Sequence, residues 1–291
     1  MVSLPGDSHV HSEWSWDAQA VGSMERSCAR AVEVGLPAIA FTEHLDHTVW
    51  RIELEGPYAM DHLTRPADPD GMLTPPAFDA AGYLESIARC RDRFPTLRIL
   101  SGLEMGEPHR HPGACANVLG AGRFDRVLGS LHSLPDRGTF AEPWGIYPHR
   151  DAYEVVRAYL AGVLEMVTQS GIFSVVAHID YPVRSWPVER AGPFDPAVVE
   201  EEFRGALRAT ARSGRALEIN TRLPLHGTIL SWWHEEGGDA VTFGSDAHTP
   251  PLVAHGFTEA AHMAEAHGFR PGRHPYDLWT RRTVARPGRV G

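Results

Sequence analysis

The sequence predicts an α/β fold, a barrel of seven strand and helix units. Seven short apolar segments alternate with amphipathic helical segments, and a polar residue that could bind an ion or a substrate follows each apolar segment. Such alternation implies a parallel sheet with helical crossovers. No Gly-x-Gly-x-x-Gly turn follows the first strand, which disfavours an open, dinucleotide-binding sheet. In a barrel, the active site forms where the C-terminal ends of the strands meet.

The predicted strands end where possible ligand side chains begin. The first surrounds His9, and the others are residues 38–41 before His44, 97–103 before Glu104, 127–131 before His132, 173–177 before His178, 216–219 before Asn220 and 240–243 before Asp246. Because parallel strands carry their C-terminal ends to one face, we expect these side chains to share one cavity.

Helices are predicted between the strands. One covers residues 23–34, from the N-cap residue Ser23 to the stop at Gly35, and another begins at Asp195-Pro196 and runs to Gly214. Further helical patterns cover residues 79–93, 150–169, 228–236 and 251–267. The apolar side of each helix would cover the sheet.

The chain is predicted to form one domain. It has 291 residues, of which 43% are hydrophobic, enough for a single large core. We expect a single domain over residues 1–291, with a core at about 5–270 and a C-terminal tail at 271–291. Loops at 45–77, 107–124 and 133–149 are rich in Pro, Gly, Asp and His, as is typical of lids and substrate-contacting segments.

Composition excludes several classes of function. The net charge of −10 and the pI of about 5.9 disfavour a nucleic-acid partner. No apolar run is long enough for a membrane span, and the N-terminus lacks a signal-peptide pattern, so we expect a cytoplasmic protein without a membrane partner. The three cysteines form no CxxC pair and are predicted to be packing residues. The sequence carries no signal for an oligomeric state.

Lysine is absent from the sequence, so all 27 basic residues counted as Lys or Arg are arginine. This excludes Schiff-base chemistry, a P-loop lysine and a metal bridge made by a carbamylated lysine. Arginine suits bidentate recognition of phosphate. An anionic substrate is therefore expected to be bound by local arginine side chains.

Two short motifs predict a metal site. His9-Val10-His11 and Asp246-Ala247-His248 each place two possible ligands at i and i+2, which point to the same side of an extended backbone. Imidazole and carboxylate ligands without thiolate favour Zn, Mn or Fe(II) over Ca or Mg. The candidate ligands are His9, His11, Asp17, His44, Glu104, His132, His178, Asp246 and His248. These exceed the roughly four ligands that one zinc ion needs, which predicts more than one ion.

The arrangement resembles the PHP superfamily, named after polymerase and histidinol phosphatase, and within it the histidinol-phosphate phosphatase branch. The resemblance covers about residues 5–270 and rests on DSHVH with Asp17 downstream, FTEH, SGLE, GSLH, VVAHID and GSDAH. It implies a distorted seven-stranded (β/α) barrel with the active site at the C-terminal ends of the strands. It also implies three divalent ions, Zn, Mn or Fe.

The resemblance further implies how the ligands divide among these ions. The first set is His9, His11, Glu104 and Asp246; Glu104 would bridge to a second ion held by His132 and His178; Asp17, His44 and His248 would hold the third. Family members often carry histidine where this chain has Asp17. The third ion therefore depends on a substituted ligand.

Such a site predicts metal-assisted hydrolysis of a small phosphomonoester, because a carboxylate-bridged pair of cations can supply hydroxide at neutral pH. Glu104, Asp246 and His226 are the candidate catalytic residues, and Arg184, Arg222 and Asn220 are the candidates for substrate binding. His226 and Asn220 could hydrogen-bond to substrate or protonate the departing alkoxide. By the resemblance, the substrate is L-histidinol phosphate, which yields L-histidinol in histidine biosynthesis.

Three alternatives stand beside this hypothesis. One is a phosphoesterase acting on nucleotides or oligonucleotides, which the negative charge disfavours. Another is a catalytically silent, metal-stabilised partner module, although none of the nine ligand positions is missing. The third is an amidohydrolase, in which Glu104 would have to replace the usual modified lysine. His109-Arg110-His111 looks like a second metal motif but lies in a loop without an obvious carboxylate partner.

Overall fold

The protein folds around a curled, mostly parallel β-sheet with helices packed against it. The structure is a computed structural model, and it describes residues 4–54, 67–274 and 276–281. Parts of the predicted loop 45–77 and of the predicted tail 271–291 therefore lie outside the described residues. Among the described residues, no helix is both long and apolar enough to cross a lipid bilayer.

The main sheet has nine strands. In spatial order they are β1 (Asp7–Val10), β2 (Ala38–Leu45), β5 (Arg98–Gly106), β6 (Arg126–Ser130), β9 (Val175–Val176), β10 (Ala216–Asn220), β11 (Ala240–Gly244), β13 (Trp279–Arg281) and β12 (Phe269–Arg270). The first seven run parallel, from β1 to β11. The sheet has two strands more than the predicted seven because the C-terminal segment adds the antiparallel pair β12 and β13 beside β11.

The parallel strands curl until β1 approaches the segment that follows β11. The amide of His11 donates to the carbonyl of Ala247 (2.9 Å), and the amide of Asp246 donates to the carbonyl of His9 (2.8 Å). Val10 and Ala247 form an isolated parallel bridge. The two sequence motifs with i, i+2 ligands are thereby placed side by side by backbone hydrogen bonds.

Two strands extend further than the sequence predicts. The pairing of β2 with β5 continues through His44 opposite Glu104 and Leu45 opposite Met105. Both ligand side chains therefore stand on regular strand backbone. The reason is that the apolar residues Leu45 and Met105 are buried and keep the ladder paired beyond the ligand positions.

Among the described residues, the six predicted helices occur in the predicted order with shifted ends, and the three short helices Pro112–Leu119, Pro143–Ile146 and Val188–Ala191 were not predicted. They are α1 (Met24–Glu33), α2 (Ala80–Arg93), α3 (Pro112–Leu119), α4 (Pro143–Ile146), α5 (Ala152–Gln169), α6 (Val188–Ala191), α7 (Glu200–Arg212), α8 (Gly227–Glu235) and α9 (Phe257–Ala266), with 3₁₀ turns at Tyr181–Ser185, Pro196–Val199 and Pro250–Leu252. The predicted helix 251–267 begins only at Phe257, because Ala254 and Gly256 have positive φ angles (62° and 68°) that interrupt it.

The long predicted loops contain structure of their own. A second, four-stranded sheet has the order β4 (Met72–Leu73), β3 (Trp50–Arg51), β8 (Thr139–Ala141) and β7 (Leu134–Asp136). It joins the predicted loop 45–77 to the predicted loop 133–149. Trp50 and Leu73 of this sheet form a small apolar cluster with Ile52 and Trp144. The three cysteines are unpaired and buried in packed regions.

Candidate metal centre and substrate cavity

The nine predicted ligand side chains lie together in one cluster, with His9 and His11 as its innermost members. His9 lies on β1 and His11 directly follows this strand; both imidazoles are fully buried, and their Nε2 atoms lie 3.0 Å apart. Asp246 reaches them from the segment after β11, with Oδ1 at 3.4 Å from Nε2 of His11 and 3.8 Å from Nε2 of His9. Asp246 has a φ of 53°, so the chain turns sharply where its carboxylate enters the cluster. Three ligand-type groups thus surround one point.

Glu104 lies between two pairs of imidazoles. Its Oε2 is 3.3 Å from Nε2 of His9 and 3.4 Å from Nε2 of His11. Its Oε1 is 3.2 Å from Nε2 of His132 and 2.6 Å from Nε2 of His178. Each oxygen of this one carboxylate therefore faces a different histidine pair, which is the arrangement expected of a carboxylate that bridges two cations.

Asp17, His44 and His248 form a third group closer to solvent. Oδ2 of Asp17 lies 2.9 Å from Nε2 of His248 and 3.5 Å from Nε2 of His44. Nδ1 of His44 is 3.1 Å from Oε2 of Glu104, which links this group to the centre. The side chains of Asp17 and His44 are each 11% exposed and that of His248 is 18% exposed, whereas Glu104 is 1% exposed. This group therefore stands at the mouth of the cluster.

The donor set fits divalent cations. Within the described part of the chain, no hydrogen-bond donor serves the buried Oε2 of Glu104 or the buried Oδ1 of Asp17. Among the residues that the structure describes, three combinations bring their ligand atoms within 4.8 Å of one another, namely His11 with His44 and His248, His9 with His11 and Asp246, and His44 with Glu104 and His132. Tetrahedral ligands at zinc distances stand about 3.4 Å apart, close to several separations in this cluster.

Electrostatics keep the carboxylates of the cluster ionised. Burial opposes ionisation of Glu104, but His9, His132 and His44 hold its pKa well below its usual range. Burial also opposes ionisation of Asp246, and the Arg184 guanidinium is the main group that keeps its pKa well below the usual value. At neutral pH, both side chains are therefore anionic.

Carboxylates behind the histidines orient the rings. Oε1 of Glu218 lies 2.6 Å from Nδ1 of His9, and Oδ1 of Asp46 lies 3.0 Å from Nδ1 of His132. Partners of this kind set the ring orientation of metal-binding histidines. The sequence prediction missed both residues. A carboxylate inside the apolar strand segment ALEIN was the available signal for Glu218, since an unpaired charge is costly in a buried strand.

Ser15 and Glu43 support His11 in the same way. Oγ of Ser15 lies 2.9 Å from Nδ1 of His11 and donates to Oε2 of Glu43 at 2.6 Å. Glu43 also accepts hydrogen bonds from the amide and the hydroxyl of Ser12. The serines of the sequence HSEWS thus connect a metal-type imidazole to a fully buried carboxylate.

Two glycines make room for these supporting carboxylates. A β-carbon at Gly244 would overlap Oε1 of Glu218, and a β-carbon at Gly106 would overlap Oδ1 of Asp46. Both glycines lie at the ends of strands that carry cluster residues. Close approach of backbone to carboxylate, rather than a special φ angle, is the reason for glycine at these positions.

The cluster opens into a cavity of about 480 Å³. Its walls are formed by Trp16, Asp17, Val21, His44, Asp46, Trp50, Glu104, His132, Glu142, Trp144, His178, Tyr181, Arg184, Ser185, Arg222, Asp246 and His248. The cavity is large enough for a small phosphorylated metabolite. Trp16 and Trp50 belong to its lining, whereas Trp14 packs against the main core.

The two predicted arginines line this cavity. Arg184 is largely buried, and its Nη2 lies 2.6 Å from Oδ2 of Asp246. Arg222 is more exposed, with Nη1 at 3.2 Å from Nδ1 of His248. Each arginine thus stands beside a cluster residue, at the place where an anion in the cavity would meet the cluster.

Asn220 and His226 lie elsewhere. Asn220 is buried, donates from Nδ2 to Oε2 of Glu218 (3.1 Å) and accepts from the amide of Arg222 (3.0 Å), so it supports the site from behind. His226 is exposed and is the N-cap of α8, where Nδ1 accepts from the amide of Thr228. Neither side chain belongs to the cavity lining. Helix capping accounts for the position of His226, and the structure gives no support for its predicted catalytic role.

The curled parallel sheet and the buried imidazole and carboxylate cluster at the C-terminal ends of its strands define an α/β protein with a site of the metal-dependent hydrolase type. The chain belongs to the PHP domain family, which matches residues 7–222. Asp246 and His248 lie beyond the matched residues. Backbone hydrogen bonds between residues 9–11 and 246–247 place them beside the matched part of the site.

Proteins with similar sequences are named as phosphatases. The chain is 28% identical over 255 residues to a histidinol-phosphatase of Lactococcus lactis, covering 83% of each chain. It is 29% identical over 267 residues to a probable histidinol-phosphatase of Deinococcus radiodurans, covering 87% of this chain and 90% of the other.

Solved structures share the fold. Histidinol phosphate phosphatase from Lactococcus lactis, complexed with zinc, L-histidinol and phosphate, superposes with a TM-score of 0.75 at 24% identity and covers 94% of this chain and 98% of that one. A putative histidinol phosphatase from Listeria monocytogenes gives a TM-score of 0.69 at 17% identity, covering 87% and 99%. The fold therefore extends over nearly the whole length of both neighbours.

Proposed function

We propose that the protein is a metal-dependent phosphatase that hydrolyses L-histidinol phosphate to L-histidinol and phosphate. The observation that carries this proposal is the carboxylate of Glu104, whose two oxygens face two histidine pairs beneath an arginine-lined cavity. The names of the sequence relatives and the zinc, L-histidinol and phosphate in the Lactococcus neighbour support the choice of substrate.

We further propose three divalent ions, with zinc, manganese or iron(II) suited to the donor set. His9, His11, Glu104 and Asp246 would hold the first; Glu104, His132 and His178 the second; Asp17, His44 and His248 the third. Bound cations would supply Lewis acidity and a nucleophilic water at neutral pH. The chain itself contributes the bridging carboxylate and the imidazoles held in place by Glu218 and Asp46.

The arginines have separate tasks in this proposal. Arg184 holds Asp246 by an ion pair and presents its remaining donors to the cavity, where they could bind phosphoryl oxygens. Arg222, at the more exposed edge, would neutralise the incoming phosphate. No step is assigned to His226, because helix capping keeps it outside the cavity lining.

We also propose that residues 1–291 form a single domain, built on a distorted barrel of the seven parallel strands. The bridge between Val10 and Ala247 supports it, since this contact brings the two ends of the parallel series together. β12 and β13 would then be an addition at the C-terminal side of the barrel.

The test is phosphate release from a panel of monoesters after chelation and reloading with zinc or manganese. We expect kcat/KM for L-histidinol phosphate to exceed the values for nucleoside monophosphates and sugar phosphates by about 100-fold or more, which corresponds to roughly 3 kcal/mol of selectivity. A similar rate on all esters would overturn the substrate assignment. A preference for nucleotides or a short oligonucleotide would select the phosphoesterase alternative.

A further inference from the structure

Glu142 is an acidic side chain in the cavity wall that the metal cluster does not use. It lies directly before α4, in the segment 133–149, and is 8% exposed. It lines the same cavity as His132, Arg184 and Asp246. Its carboxylate does not ligate the cluster, so its presence in this wall needs another explanation.

One oxygen of Glu142 holds all of its hydrogen bonds. The hydroxyl of Tyr181 donates to Oε2 at 2.6 Å, and Nε1 of Trp144 donates to the same atom at 2.8 Å. Among the described residues, no donor is hydrogen-bonded to Oε1. The carboxylate is therefore held in position by one oxygen, and the other is left for a group in the cavity.

Glu142 also forms no ion pair with a described residue, and His132 attracts its carboxylate only at longer range. Its two neighbours at Oε2 are an uncharged phenol and an uncharged indole. Burial raises the pKa of Glu142, and hydrogen bonding from Tyr181 with attraction to His132 only partly offsets it. A buried carboxylate without a counter-charge is costly, and a cationic ligand group would remove that cost.

Tyr181 contacts both Glu142 and Arg184. The guanidinium carbon of Arg184 lies 5.1 Å from the centre of the Tyr181 ring, and the hydroxyl of the same ring contacts Glu142. The Tyr181 ring is also 5.0 Å from the ring of His178, next to the metal-type cluster. The cavity wall therefore carries a positive group over the face of the Tyr181 ring and a negative group at its hydroxyl.

Aromatic side chains cover the wall near Glu142. Trp16 and Trp50 line the cavity with their ring centres 5.9 Å apart, and Trp144 packs in the same apolar cluster as Trp50. Flat aromatic surfaces of this kind bind another planar ring by stacking or edge contact. An imidazole ring would fit such a wall whether or not it is charged.

From this geometry we propose that Glu142 is a specificity-determining residue that binds the ammonium group of the substrate. The phosphate would lie toward Arg184 and the cluster, the ammonium group on Oε1 of Glu142, and the imidazole ring against the tryptophans. This inference rests on the proposed function and names the group that recognises the amino alcohol. We place the ammonium group rather than the imidazole on Glu142 because the ammonium group stays charged at neutral pH, whereas an imidazole is mostly neutral there.

The experiment compares wild type with Glu142→Gln on three esters. They are L-histidinol phosphate, its deamino analogue 3-(imidazol-4-yl)propyl phosphate, and 2-amino-3-phenylpropyl phosphate, which keeps the ammonium group but lacks imidazole. We expect kcat/KM of the variant to fall about 10- to 100-fold for both ammonium esters, mainly through KM, as for a lost charged hydrogen bond. The deamino ester should lose less than about threefold.

Each of the other possible outcomes would contradict a specific part of the proposal for Glu142. Equal losses on all three esters would mean that Glu142 only maintains the fold of the cavity. A loss confined to the two imidazole esters would assign Glu142 to the imidazole ring instead. If wild type and the variant hydrolyse L-histidinol phosphate equally well, the role of Glu142 is refuted while the proposed function stands. If wild type does not hydrolyse it, the proposed function fails and this inference falls with it.

A matched control and a measurement without variants complete the test. Glu165→Gln makes the same change on the exposed side of α5 and should leave all three rates unchanged. Gln at 142 can still accept from Tyr181 and Trp144, so metal content and circular dichroism should match wild type. In wild type, L-histidinol should inhibit at a concentration at least about tenfold lower than the deamino alcohol; equal inhibition would overturn the ammonium assignment.

Discussion

The cavity has two ends that are built in different ways. The metal end is the imidazole and carboxylate cluster, and the aromatic end is the wall formed by Trp16, Trp50, Trp144 and Glu142. The metal end takes its side chains from the main sheet and the segments directly after its strands, as in His9, Glu104 and Asp246. The aromatic end takes Trp50 and Glu142 from the second sheet and its connecting loops. Rigid strands suit groups that must meet an ion within a fraction of an ångström, and loops suit contacts that distinguish one substrate from another.

The two ends also balance buried charge differently. At the metal end, Glu104 and Asp246 are ionised because imidazoles and Arg184 surround them. At the aromatic end, Glu142 meets only neutral donors at its bonded oxygen. Changes at the metal end should therefore abolish turnover, whereas changes at the aromatic end should alter substrate preference.

The largest effect is expected from Glu104→Gln. The amide removes the anionic bridge between the two histidine pairs, so kcat should fall by about 10³-fold or more while the protein remains folded. Steady-state kinetics, metal analysis and circular dichroism measure this. Glu165→Gln on α5 is the control, and unchanged turnover by Glu104→Gln would refute the bridge.

Arg184→Lys should have the next largest effect. Lysine keeps the charge but loses the planar fork that can hold Asp246 and a phosphoryl oxygen together, so kcat/KM should fall about 100-fold. The control is Arg208→Lys, because Arg208 pairs with Glu236 on the surface, where ion pairs contribute little. If both variants lose activity equally, Arg184 has no special place in the site.

Glu218→Gln tests the support behind the metal end. Its carboxylate orients His9 without reaching the cavity, so metal affinity should fall about 10- to 100-fold while kcat at saturating metal stays near wild type. Titration of the apoprotein with zinc, followed by activity at each concentration, gives both quantities. A fall in kcat that excess metal does not restore would place Glu218 in the reaction itself.

Glu43→Gln should change stability in a pH-dependent way. Burial raises the pKa of Glu43 to about 7 against a reference of 4.5, so the folded state binds this proton more tightly than the unfolded state. The stabilising contribution is complete below about pH 4.5 and is lost as the pH rises through 7. The free energy of unfolding of wild type, relative to Glu43→Gln, should therefore fall by about 2–3 kcal/mol between pH 5 and 8.

Urea unfolding of both proteins at the two pH values, at one metal concentration, measures this difference. The comparison between variants removes the other titrating groups, which both proteins share. Parallel pH curves would show that Glu43 is as easily ionised in the folded protein as in the unfolded chain.

The residue types that can form the metal end are readable from the local sequence. Ligand spacing at i and i+2, and polar residues after apolar strand segments, follow from local strand geometry. The order of strands and helices was readable for the same reason, since hydrophobic periodicity is a local property. The predicted strand before Glu104 nevertheless ended too early, because pairing with β2 continues through that residue.

How these residues meet depends on contacts between distant parts of the chain. Glu218 supports His9 across 209 positions of sequence, and the second sheet joins β3 to β8 across two long predicted loops. In the structure, Asn220 donates a hydrogen bond to Glu218, and His226 caps the N-terminus of α8. Such contacts depend on which distant segments share a buried space, and local periodicity carries no information about that choice.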